Sequence, residues 1–135
     1  MIVSLHVATG AAGGALTRSR PAAVVLGLAM HALGDRIPHH DIRSYDFEVR
    51  SGFACLFAIA ARYGRLSPVT LGALASSAPD IEHAIRLPQP GGRKLFPSHR
   101  IPGFHRPGGI SASAQLVLAG VLIGTVLASR WTRAH

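Results

Sequence analysis

A single cysteine, Cys55 in the apolar stretch GFACLFAIAA, excludes an internal disulfide and a cysteine-built zinc finger. It reads as a small core residue. Charge is also scarce, at 15% of residues against roughly 25% in an ordinary soluble domain. Acids are the scarcest: six Asp and Glu stand against 14 Lys and Arg, a formal net charge of +8. That excess points to an anionic partner, either phospholipid head groups or a phosphate-containing substrate. Nucleic acid is not expected. Aromatics are limited to one Trp, two Tyr and five Phe, and there is no helix-turn-helix, RNP or zinc-finger signature. The first basic residue is Arg18, so the opening apolar stretch lacks the basic start of a signal peptide. No segment alternates with period two for long enough to make a strand, and no repeat stands out.

What remains is apolar and punctuated. Hydrophobic residues make up 48% of the chain and the mean hydropathy is +0.31. With 135 residues, the chain reads as one domain, 1–135, with a single core. Five apolar stretches predict helices, at about 2–17, 21–36, 47–63, 67–84 and 110–131. Pro21 suits a first helical turn, and Ser67–Pro68 pairs a cap with a proline at the first helical position. Only the fifth stretch reaches the roughly 20 apolar residues of a membrane span. Gly10 with Gly14, and Gly120 with Gly124, have the spacing of close-packed membrane helices. The expected fold is therefore all-α, an integral membrane bundle of about five helices.

Laid up and down, these helices sort the polar residues. One end holds the turns TRSRP and RYGRLSP with the tail SRWTRAH. The other holds all six acids (Asp35, Asp41, Asp46, Glu48, Asp80 and Glu82) and every histidine but His135. Loop polarity explains Asp46. It explains His6 and His31 poorly, because both interrupt apolar helices, where an ionisable group marks a candidate site. The arginines of the short turns place the first end in the cytoplasm and the histidine end outside it.

The segment HALGDRIPHHD, residues 31–41, carries the densest chemistry. His31 and Asp35 are four apart and share a helix face. Pro38 ends that helix and turns His39 and Asp41 back over its mouth, with His40 pointing outward. APDIEH, residues 78–83, repeats the pattern with Asp80, Glu82 and His83. SHRIPGFHR adds His99 and His105 within a loop at 88–109 that holds five prolines and five glycines. Loops of that length in compact domains are usually functional or disordered. Convergence of His6, His31, Asp35, Asp80, His99 and His105 is expected, joined by His39 or Asp41. This nitrogen and oxygen set suits zinc, with manganese or iron as alternatives, as one or two ions. A divalent ion there lowers the pKa of water and polarises a phosphoryl oxygen. Asp35 and Asp80 are then the candidate catalytic carboxylates. Arg36, Arg43, Arg100 and Arg106, with Arg93 and Lys94 nearby, are candidate phosphate holders. The competing readings are a non-enzymatic protein that binds or handles a metal, and a haem protein using His6 and His31.

These motifs resemble the small membrane-bound metal-dependent hydrolases that include the LexA-binding inner-membrane-associated type. The matching stretches are LHVATGAAGGA at 5–15, HALGD at 31–35 with PHHD at 38–41, PDIEH at 79–83 and SHRIPGFH at 98–105. Met30 stands where that family has serine and Glu82 where it has aspartate, and the His-x-x-x-Asp helix precedes the Pro-Asp motif instead of following it. The His-x-x-x-Asp pair is also loosely similar to that of zinc-dependent phospholipase C. The resemblance implies a multi-helix protein of a bacterial inner membrane, with a metal site and phosphoester hydrolysis, lipid head groups included.

Overall fold

The computed structural model describes residues 1–81, 90–92, 94–96 and 99–129. Glu82, His83, Arg93 and His135 lie outside these. Among the described residues five α-helices follow in order: α1 Val3–Ala15, α2 Arg20–Arg36, α3 Tyr45–Tyr63, α4 Pro68–Ser77 and α5 Ala112–Ala128. Three of the α-helices have a serine cap that the apolar pattern alone does not reveal. Ser19, Ser44 and Ser111 each accept a first-turn backbone N–H, as Ser67 does for α4. Helix α4 passes directly into a 3-10 turn over Ala78–Asp80, where Pro79 has no N–H to donate to the carbonyl four residues back. The described residues contain no strand, only isolated bridges from His39 to Pro107 and Ile110.

Helix α1 is the centre of the bundle. It is apolar on all sides, and nine of its 13 residues are buried. Ile2 gives it no side-chain cap. Its first N–H groups are satisfied from other elements instead: Gln115 Oε1 accepts from Ile2 N at 3.1 Å and Glu48 Oε1 from Val3 N at 3.3 Å. Helix α4 lies against α1 at backbone distance. A Cβ placed on Gly10 would stand 2.3 Å from the Gly72 carbonyl, and one on Gly14 2.3 Å from the Pro68 carbonyl. The spacing of Gly10 and Gly14 thus marks a real helix crossing. Gly120 and Gly124 have the same spacing but nothing within 4 Å of a Cβ. At the far end of the bundle, the Tyr63 hydroxyl ties α3 to α5 by donating to the Val126 carbonyl, and it lies 3.0 Å from Ser129 Oγ.

The expectation of an integral membrane bundle is corrected. Among the described residues no helix is long and apolar enough to cross a membrane. The most apolar, α5, is held to 17 residues by Ser111 and Ser129 at its ends. At about 1.5 Å per residue it falls short of a hydrocarbon core of about 30 Å. The longest, α3, has 19 residues but carries Asp46, Glu48, Arg50 and Arg62. The inner-membrane location, and the outward-facing site that went with it, fall on the same finding.

Candidate metal centre

The up-down order brings the start of α1, the end of α2 and the end of α4 to one level. There the carboxylate of Asp35, fully buried, is surrounded. Its Oδ1 accepts from the Met1 amino group at 2.9 Å and lies 3.1 Å from His6 Nε2. Its Oδ2 lies 3.0 Å from His31 Nε2, 3.1 Å from His105 Nε2 and 3.9 Å from His99 Nε2. Asp80 closes the other side, with Oδ2 3.7 Å from His6 Nε2 and Oδ1 3.8 Å from His99 Nε2. The six residues expected to converge do so.

His31 is the best-defined ligand candidate. Its Nδ1–H donates to the Ser76 carbonyl at 2.9 Å, which leaves the Nε2 lone pair facing the cluster. Metal-binding histidines are oriented in this way, by a hydrogen bond at the second ring nitrogen. His31 Nε2 and Asp35 Oδ2 are both buried and close, yet they lack hydrogen-bond alignment, and Asp80 Oδ2 is also a buried atom without a hydrogen bond. Buried polar atoms are normally paired. Here they converge on shared space. His6, His31 and Asp80 place ligand atoms within 4.8 Å of one another, and so do His31, Asp35 and His99. These groups can hold a metal ion.

The local chain explains how the loop ligands are held. His39 N donates to Arg106 O at 3.2 Å, His40 N to Ile110 O at 2.9 Å, and Ile110 N to Pro38 O at 3.0 Å. Gly109 makes this possible. It sits at φ +79°, and a Cβ there would lie 2.3 Å from the Pro38 carbonyl. His39 Nδ1 donates to Ile37 O, and its Nε2 lies 2.6 Å from the Met1 amine. His39 therefore joins as a support to the cluster. Asp41 lies 3.4 Å from His39 Nε2, its side chain 78% exposed, and His40 is exposed as expected.

Burial and charge divide the two aspartates. Burial alone would raise the Asp35 carboxyl, but the close approach of the His31 and His6 rings and the Met1 amino group hold it far below the usual carboxylate range. Burial pushes Asp80 up to about 7, against the pull of His31 and with the push of Asp35. Burial lowers His6 to about 3, so it is neutral over the working range. His31 is raised despite its burial, through the close Asp35 carboxylate and the charge of Asp80. A pH dependence follows. Below about 7, Asp80 carries a proton that an incoming cation displaces, and His31 adds a second. Affinity for zinc, followed with a chelating dye, is expected to fall at least about tenfold for each unit that the pH drops below 7. An affinity flat from pH 5 to 8 would contradict this.

Arg36, Arg43, Arg100 and Arg106 are all exposed and none of them lines the space beside the cluster. Arg36 lies 5.4 Å above the Phe104 ring, and Arg100 donates to the carbonyls of Lys94 and Leu95. Lys94 does line that space, with Tyr45 and Glu48. Sequence reasoning did not single out the Ser76 carbonyl or Gln115, and it placed Glu48 only among the acids of the histidine end. Gln115 is fully buried and also donates to the His40 carbonyl at 2.8 Å. A lone glutamine in the apolar SASAQLVLAG run was the one available hint. His6 and His31 stack at 4.3 Å between ring centroids, which leaves no room for a porphyrin between their nitrogens. No family model, curated protein or solved structure matches the chain.

Proposed function

We propose that the protein is a metal-dependent hydrolase of phosphoesters, with its likeness to the small metal-dependent hydrolases lying in the site's chemistry. The reading rests on His31, whose second nitrogen is anchored on Ser76 while Nε2 stays buried without an aligned hydrogen bond beside Asp35. Zinc is the ion best suited to the donor set, held by His6, His31, Asp35 and His99, with room in the ligand list for a second ion. Bound zinc supplies Lewis acidity, activating water and polarising the phosphoryl oxygen. The carboxylates divide the remaining work as environments that push their pKa values apart suggest. Asp35 stays ionised and shares the ion with His6 and His31. Asp80, at the edge of the cavity, takes a proton from the attacking water and returns it to the leaving oxygen. The water oxygen bonds to phosphorus, the ester P–O bond breaks, and the alcohol leaves with that proton. His105, 44% exposed, marks the open side through which the ester arrives.

The test uses purified protein, para-nitrophenyl phosphate and bis(para-nitrophenyl) phosphate. Turnover is expected with zinc or manganese, to be lost with chelator and restored by metal. Asp80→Asn is expected to lower kcat by a factor of about 100 to 10,000 while zinc is still taken up. The burial of His6, His31 and Asp35 favours a second reading, a protein that only holds its metal. Folded, zinc-loaded protein that cleaves neither ester and is indifferent to Asp80→Asn would select it.

A further inference from the structure

Beside the cluster lies a cavity of about 540 Å³, a size suited to a small-molecule ligand. Asp80, His99 and His105 belong to its lining, so the cavity and the candidate metal centre are continuous. Its wall from α3 is one stripe of residues three or four apart: Tyr45, Glu48, Val49, Gly52, Phe53 and Leu56. Eleven residues of helix rise about 16 Å along it. Its chemistry changes with distance from the cluster. Glu48 sits at the cluster end, where it accepts from Val3 N, and beyond Val49 the stripe carries no polar side chain. Asp41 and Lys94 also line the cavity, and Val7 of α1 and Leu74 of α4 contribute apolar surface.

A candidate metal centre that opens into a long apolar trough matches one kind of molecule. We infer that the substrate is a single-chain alkyl phosphoester, its phosphate at the cluster and its hydrocarbon tail lying between α3 and α4. This rests on the hydrolase reading and adds the substrate class to it. A compact polar ester would leave the trough wet and apolar, and an uncharged ester would bring no anionic oxygen to an ion at the cluster. A phosphate on an alkyl chain satisfies both ends at once.

The experiment uses alkyl phosphonates, which bind but cannot be hydrolysed, against protein whose zinc uptake has been measured first. Methyl-, hexyl- and decylphosphonate, each below its aggregation point, are titrated calorimetrically. Full burial of one methylene is worth roughly fourfold in affinity. In this half-open trough, decylphosphonate is expected to bind at least about a hundredfold more tightly than methylphosphonate. Leu74→Trp narrows the trough and Phe53→Asp charges its wall. Both positions are substantially exposed, at 47% and 61%, so the bundle tolerates the change. In each variant the decyl-to-methyl affinity ratio is expected to fall at least tenfold, with zinc uptake reporting that the variant is folded. Equal affinities for the three phosphonates in zinc-loaded protein would overturn the inference and leave the hydrolase reading standing. A chain-length preference that survives both variants would put the tail elsewhere and overturn it as well. Native protein that takes up no zinc would remove the hydrolase reading, and this inference with it.

Discussion

Asp35→Asn is expected to weaken zinc binding by at least about a hundredfold and to end any hydrolysis. Removing a group that merely orients a ligand costs about 10 to 100 times in metal affinity. Asp35 touches His6, His31 and His105 within 3.1 Å, so its removal belongs at or beyond the upper end of that range. The amide keeps the volume and one acceptor oxygen but loses the negative charge. That charge holds His31 protonated more readily than usual and accepts from the Met1 amine. The metal-free variant is therefore expected to lose about 2 kcal/mol of stability as well, the scale of a hydrogen bond to a charged group. Dye competition gives the affinity and urea unfolding the stability. A variant that keeps native zinc affinity would place the ion away from Asp35.

Gly72→Ala is expected to destabilise the protein by about 3 kcal/mol, because the added Cβ would lie 2.4 Å from the Gly10 carbonyl and 3.1 Å from Gly14 Cα. Those atoms are backbone, so relief requires one helix to move off the other. Helix α4 leads into Asp80 and carries the Ser76 carbonyl that orients His31. The same substitution is therefore expected to weaken zinc binding from a distance. Gly120→Ala and Gly124→Ala are the controls. Both sites are open, and each alanine is expected to stabilise its helix by about 0.5–1 kcal/mol. Thermal unfolding of the three variants checks the contrast. A Gly72→Ala protein as stable as native would mean that the two helices are not in backbone contact.

Much of the site could be read from residue spacing. His31 and Asp35 share a helix face because the helical repeat requires it, and up-down order carries Asp80 to the same level as His6. Pro38 follows closely on the end of α2 at Arg36, so that end was legible, whereas α4 stops at Ser77, short of the expected 67–84. The groups that orient the ligands were not. The Ser76 and Ile37 carbonyls that hold His31 and His39 are backbone atoms, and every residue has one. The arginines near the ligands in sequence point outward, because proximity along a loop does not set the direction of a side chain. The length of the fifth helix was misjudged for a related reason. Ser111 and Ser129 look like ordinary small residues in a small-residue run, yet both sit at helix ends. The apolar count ran past the true helix, and the membrane reading with it.

The cluster is assembled from two kinds of scaffold. His6, His31 and Asp35 stand on helices packed in the bundle, whereas His99 and His105 come from a loop pinned at its far end by three backbone hydrogen bonds. Helices locked in a core and loops tied by a few bonds open on different timescales. For an ion bound there, the helical ligands would be the preformed part of the site and the loop the part that opens for its entry and exit. Because an ion bound to both stabilises whatever it bridges, occupancy also fastens the loop to the bundle. Loosening the loop at Gly109 then shortens the residence time of the ion far more than it changes the three ligands beneath it.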